Sequence, residues 1–212
     1  LEVIVPRRFD HQQIPALIIE QQRWIDRALQ RAREQFGTLI ESGPPALPVR
    51  LELRAMDEVI HIKYAATGTQ RLRLRENDSA MHIDYAEDKQ VQVFDALREC
   101  VKRRARRYFL GRLDDLTRQT SLSFKRLTVR GQRTRWGSYS AKGNINLNYK
   151  LLFLPPPLVE HVLLHELCHS RHLNHSKRFW SLLGSFDPAM DEHREALRSG
   201  DRFMPEWIDY RG

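Results

Sequence analysis

A chain of 212 residues, 41% apolar and 29% charged, has room for one sizeable core and is too apolar to be a disordered segment. Lys and Arg outnumber Asp and Glu by 35 to 27, and the resulting +8 favours encounter with anionic partners without choosing among nucleic acid, nucleotides and acidic proteins. No apolar run approaches the roughly 20 residues of a membrane span, which argues against a membrane partner. No segment reads as a signal peptide, although a start at Leu1 rather than Met leaves upstream residues open. Two cysteines, Cys100 and Cys168, are too few for a disulfide framework and fit a reducing cytoplasm, where the chain is expected to act.

In chain order, residues 3–5 (Val-Ile-Val) look like the end of a strand stopped by Pro6. Over residues 12–36, Ile14, Leu17, Ile18, Ile25, Leu29 and Ala32 form an apolar stripe with helical spacing. Gly43-Pro44-Pro45 and Pro48 mark a loop. Short period-two runs follow: Leu51 and Leu53, Ile60 and Ile62, Leu72 and Leu74, then Met81, Ile83 and Tyr85, with turns at Gly68 and Asn77-Asp78. Residues 1–86 are thus expected to form a helix and a small antiparallel sheet. Lacking ligand clusters or phosphate-cradling glycines, they suit scaffolding or partner recognition. Residues 87–212 are expected to carry the chemistry.

Residues 88–117 read as a long helix, with Val91, Phe94, Leu97, Val101, Ala105, Tyr108 and Leu113 on its inner face. Arg98, Lys102, Arg103, Arg106 and Arg107 on the other side would make a basic ridge able to meet phosphates, or simply a solvated face. Strands are expected at 124–130 and 145–152, with a turn at Lys142-Gly143-Asn144. Pro155-Pro156-Pro157 ends the second strand and suits a helix start, where a missing N–H does little harm. In the helix that follows, Leu158, Val159, Val162, Leu163, Leu164 and Leu167 surround most of the circumference, so it should be buried. Ser176 can cap the next helix, with Phe179, Leu182, Leu183 and Phe186 inward, and Asp187-Pro188 can cap and open the last one.

The buried helix carries His165-Glu166-Leu167-Cys168-His169. Residues four apart share a helix face about 6 Å apart along the axis, so two imidazoles can meet at one metal. Glu166, beside the first histidine, is placed to act as general base on an activated water rather than as a ligand. His161 and His172 fall near the same stripe, but only the 165/169 pair carries the Glu. The third ligand could come from His172, His175, Glu192 or Glu195. His172 is too nearly collinear to complete a tetrahedron, and His175 can return to the metal if the helix ends near Leu173-Asn174, with Asn174 as a left-handed cap. Cys168 points away from His169 and reads as buried packing.

These residues, with Asn174-His175-Ser176, Phe179-Trp180 and the upstream Arg135-Trp136-Gly137-Ser138, Gly143, Ile145 and Leu147-Asn148, resemble the YgjP-like metallopeptidase family, itself similar to WLM and SprT-type zincins. The resemblance is tightest over residues 134–180. It implies an α+β fold with a zincin-like core, in which a small mixed sheet lies against the His-Glu helix. It also implies one Zn²⁺ held by His165, His169 and His175, with Glu166 as base. Tyr139 stands where the family often has Cys.

The expected activity is zinc-dependent peptide hydrolysis, with a protein or peptide substrate. Residues 145–149 are the candidate edge for an extended substrate, and Arg135, Trp136, Asn146 and Tyr149 are candidate substrate contacts. Tyr149, Arg135 and His193 are candidate oxyanion stabilisers. Two other readings follow from the basic charge: a metal-dependent nucleotide phosphohydrolase of the pyrophosphatase type, and a DNA-associated protease or nucleic-acid-binding module.

Overall fold

The computed structural model describes residues 44–67, 71–77 and 80–211, together with 15, 20–22 and 24–27. The strand end expected at 3–5, and the helix expected at 12–36 apart from those few residues, lie outside the described residues. The chain divides into two compact units, Leu1–Pro45 and Ala46–Gly212. Everything below concerns the second unit, and position 86, the expected boundary, lies inside it. No helix among the described residues is long and apolar enough to cross a membrane.

The first sheet contains β1 (Arg50–Leu53), β2 (Glu58–Ala66), β3 (Arg73–Glu76) and β4 (Ala80–Tyr85), in the order β1-β2-β4-β3. It is mixed, not antiparallel as expected, because β4 runs parallel to β2. Burial explains the order. Met81 and Ile83 of β4 are fully buried and pair in register with Ile62 and Tyr64 of β2, whereas β3 exposes Arg73, Arg75 and Glu76. The more apolar strand takes the centre, and the charged one becomes the edge.

Helix α1 (Gln90–Thr120) lays Phe94, Leu97, Val101, Ala105, Phe109 and Leu113 against this sheet and the rest of the core. It ends at Ser121, whose left-handed backbone (φ 56°) directs its N–H to the Thr117 carbonyl. Of the two readings of the basic face, a ridge for phosphates or a solvated face, neither covers Arg98. Arg98 is 2% exposed and belongs to the core. Its Nη1 donates to the carbonyls of Trp207, Ile208 and Tyr210 (3.3, 3.4 and 2.8 Å), and its Nη2 to Asp95 (2.7 Å). Lys102 is paired with Glu99 and Arg103 with Glu76, while Arg106 and Arg107 remain exposed.

The second sheet, β5 (Arg126–Arg130), β6 (Gly137–Tyr139) and β7 (Asn144–Asn148), has the order β5-β7-β6. Gly143 (φ 82°) makes the turn between β6 and β7. β7 runs parallel to β5 and antiparallel to β6, so it is the central strand. The substrate edge expected at residues 145–149 is therefore already paired on both sides. Ile145 and Leu147 are fully buried, which is what draws this strand inward. The edges belong to β5 and β6, and the one beside the histidine helix is β6, a strand too short to stand out by periodicity.

After a buried 3-10 turn at Tyr149–Phe153, Pro155 leads into α2 (Pro156–Cys168), followed by α3 (Lys177–Phe186) and α4 (Met190–Arg198). Ser176 caps α3 by accepting from the Phe179 N–H, as expected. Asp187 does not cap α4, because its carboxylate is engaged elsewhere. The architecture is α+β: two small mixed sheets, one long helix and a buried helix bearing the histidine pair.

Candidate metal centre

Helix α2 is buried nearly all round, with Leu158, Val159, Val162, Leu163, Leu164 and Leu167 at 5% exposure or less, so its polar residues are forced into the interior. It places His165 and His169 one turn apart, with ring centroids 5.1 Å from each other. The helix stops at Cys168, with His169 as its cap and a tight turn at Ser170 and Arg171, several residues before the expected stop at Asn174. No left-handed Asn is needed: Asp57 and Ser121 are the only non-glycine residues with positive φ among those described. The earlier stop frees residues 170–175 to fold back, and His175 returns just before the Ser176 cap.

The three imidazoles converge. His175 Nε2 lies 3.0 Å from His165 Nε2, and one donor atom from each of His165, His169 and His175 falls within 4.8 Å of the others. Phe179, fully buried on α3, forms their floor, its ring centroid 4.9, 4.7 and 4.8 Å from those of His165, His169 and His175. His169 Nδ1 lies 2.9 Å from the His172 carbonyl oxygen, which can only accept. Nδ1 therefore carries the proton and Nε2 keeps its lone pair. Thus His172 contributes through its backbone. Glu192 and Glu195 are exposed on α4, the latter paired with Arg198.

Electrostatics keep the two imidazoles of the helix, His165 and His169, neutral. Burial, reinforced by the neighbouring His169 and His175, pushes His165 down to about 3. Burial also lowers His169, against the opposing bond to the His172 carbonyl. Neutral, converging imidazoles are the donor set a borderline divalent cation requires. Glu166 is 5% exposed, and burial pushes it up to about 8, only partly offset by Arg135. Its Oε2 is buried without a hydrogen-bond partner in the protein. An orphaned carboxylate oxygen is costly, and it lies one residue from the histidine pair. The residues present fit a metal ion.

Gly137 on β6 allows this packing, since a Cβ there would lie 2.6 Å from Glu166 Oε1 and 2.9 Å from its Cγ. Gly137→Ala must displace the carboxyl while leaving the histidines in place. The expected result is a loss of at least about tenfold in any turnover that uses this carboxyl, in line with the sensitivity of catalysis to small misplacements. Metal stoichiometry should be unchanged, as checked by elemental analysis alongside steady-state kinetics.

A second histidine cluster supports the first. Asp187, 7% exposed, lies 2.6 Å from His161 Nδ1 and 3.0 Å from His193 Nδ1 through the same oxygen, Oδ2. Burial alone would raise Asp187, but the bonds from His193 and His161 outweigh it and hold the carboxyl below its usual range. Both Nδ1 atoms point their protons at the carboxylate, which makes this a hydrogen-bonded brace between α2 and α4. The sequence offered no signal for it beyond an Asp read as a cap.

Two cavities of about 280 Å³ each adjoin the site. Gly137, His161, His165, Glu166 and Arg194 line one; Arg133, Thr134, Arg135, Asn148, Lys150 and Asp201 line the other; Trp136, Leu197 and Arg198 border both. Of the candidate substrate contacts, Trp136 borders the cavity that holds His165 and Glu166, and Arg135 lines the neighbouring one. Asn146 is half-buried on β7 with its Nδ2 toward Ser138 Oγ (3.3 Å), and Tyr149 is 1% exposed and lines neither cavity. The Tyr139 ring lies beside His169, at 6.5 Å between centroids.

No curated protein matches the chain. The sequence does match the YgjP-like metallopeptidase domain over residues 1–200, nearly its whole length. With a histidine triad of this geometry and a match of that extent, the chain belongs to the YgjP-like metallopeptidase family.

Proposed function

We propose that this protein is a zinc-dependent peptidase with a zincin-like core, in which His165, His169 and His175 hold one ion and Glu166 is the general base. The observation that carries this reading is the buried, unpartnered Glu166 Oε2 beside three converging imidazoles. When bound, the ion supplies Lewis acidity to a water and to the substrate carbonyl. Glu166 takes the proton of the attacking water and returns it to the leaving amine, a task suited to a carboxyl that burial has tuned towards neutrality. Phe179 keeps the imidazoles dry on one side, and the His172 carbonyl fixes the His169 tautomer. An extended substrate strand would add to the free edge of β6, whose Gly137 already touches Glu166. The sheet over residues 50–85 serves as scaffold or partner surface. The two free, buried cysteines fit a cytoplasmic site of action.

One observation favours a second reading, a nucleotide phosphohydrolase: Arg133 and Arg135 line the cavity beyond Trp136 and could hold phosphates. Peptide and nucleoside triphosphate hydrolysis should be measured side by side, before and after chelation and again after zinc is restored. The peptidase reading expects peptide cleavage that disappears with the chelator and returns with zinc. Zinc-dependent release of pyrophosphate with no peptide cleavage would overturn it in favour of the second.

A further inference from the structure

The cavities beside the metal centre are lined with an imbalance of charge that peptide hydrolysis in general does not require. Their walls carry Arg133, Arg135, Lys150, Arg194 and Arg198 against the acids Glu166 and Asp201. Lys150 is taken by Asp209 at 2.5 Å. The four arginines are not so engaged within the cleft. Arg194 reaches Asp191 (3.1 Å) and Arg198 reaches Glu195 (2.8 Å), and both of those carboxylates are largely solvated. Such exposed pairs are weak, and each guanidinium has five N–H donors, most of which remain available.

Arg194 is also held in place, stacked 4.3 Å over the Trp180 ring, which itself stacks on His175 (5.4 Å, 24°). A cation is thus fixed one aromatic layer from the metal site. Arg198 borders both cavities, and Arg135 acts electrostatically on Glu166. A cleft walled by one sign of charge concentrates ligands of the other.

Direction follows from β6, which runs from Gly137 to Tyr139. A substrate strand added antiparallel to it would leave past Gly137 on its C-terminal side, toward Trp136 and the arginines.

We infer that this arginine-lined cleft is a carboxylate-binding subsite, selecting peptides that carry a carboxylate on the C-terminal side of the cleaved bond. The carboxylate is either an acidic side chain or the free C-terminus. This rests on the peptidase reading above.

The test uses the zinc-loaded full chain and a set of quenched fluorescent peptides identical except for Glu, Gln or Lys at the positions following the cleaved bond. Each peptide is prepared as the free acid and as the C-terminal amide. The expected result is a kcat/KM about tenfold higher for the carboxylate-bearing member, falling as salt is raised. A Glu advantage that persists in the amides identifies the side chain; an advantage of free acid over amide identifies the terminus. Arg198→Glu, at a side chain 73% exposed, should invert the preference toward Lys. This ratio is internal to each variant, so it does not depend on how much activity the variant retains. Equal cleavage of Glu, Gln and Lys peptides, with acid and amide alike, would overturn the subsite and leave the peptidase reading standing. Cleavage of none of them, with hydrolysis of nucleoside triphosphates instead, would overturn both.

Discussion

Replacing Glu166 by Gln is expected to lower peptide hydrolysis by about 10²–10⁴-fold, the usual contribution of a general acid–base group, while metal content stays that of the parent. The amide has the shape of the carboxyl, so the contact with Gly137 survives and the three histidines are undisturbed. What it cannot do is accept a proton. A second signature separates this role from a merely structural one. Glu166 is raised from 4.5 to about 8 in the folded chain, so between those values the folded state binds the proton and the unfolded state does not. Its contribution to stability is therefore present below about pH 4.5 and lost as the pH rises towards 8. The metal-free Glu166→Gln protein should be more stable than the metal-free parent at pH 8, by thermal or denaturant melts, although it is the less active enzyme. A Glu166→Gln protein with metal bound and hydrolysis intact would remove Glu166 from the mechanism.

His175→Ala is expected to weaken metal binding by more than about 100-fold, since even outer partners of metal ligands are worth 10–100-fold. Hydrolysis should fall with it. The reason to choose His175 is its position: it is exposed, on the segment between α2 and α3, whereas His165 and His169 sit on the buried helix. Its loss should leave the metal-free melting temperature close to that of the parent. The upward shift that zinc produces in the parent, by binding the folded state, should largely disappear. Equilibrium dialysis with a competing chelator, paired with melts with and without zinc, reads both effects. Unchanged affinity would point to a third ligand elsewhere, such as Glu192 or Glu195.

Features that depend on local chemistry were readable from the residues. The triple proline announces α2, its all-round apolar surface announces burial, and Ser176 announces the next helix. Features that depend on non-local pairing were not. Nothing in the alternation of Leu72, Leu74, Met81 and Ile83 says that the last two will run parallel to β2. That order is decided by which strand has more apolar surface to bury. β6 has three residues, too few for any periodicity, yet it supplies an open edge and the glycine against Glu166. Asp187 looked like a cap because capping is what Asp before Pro commonly offers. Its use as a brace depends on His161 and His193, which are 26 and 6 residues away. Arg98 reads like its basic neighbours because helical periodicity cannot distinguish a buried cation from a solvated one when its partners are backbone carbonyls.

Those partners also bear on how the protein is made. The carbonyls that satisfy Arg98 belong to residues 109, 110 and 112 positions later in the chain, and Trp207, beside them, stacks on Phe94 of the same helix. During synthesis α1 therefore leaves the ribosome with a guanidinium in its core face that has Asp95 and water for partners, its carbonyl partners not yet made. Its native set of bonds is complete only once the chain has been translated through Tyr210. Contacts of such sequence separation slow folding. The histidine triad, complete by His175, is thus translated before the core behind it can close, and nascent chains would present metal ligands ahead of a finished fold.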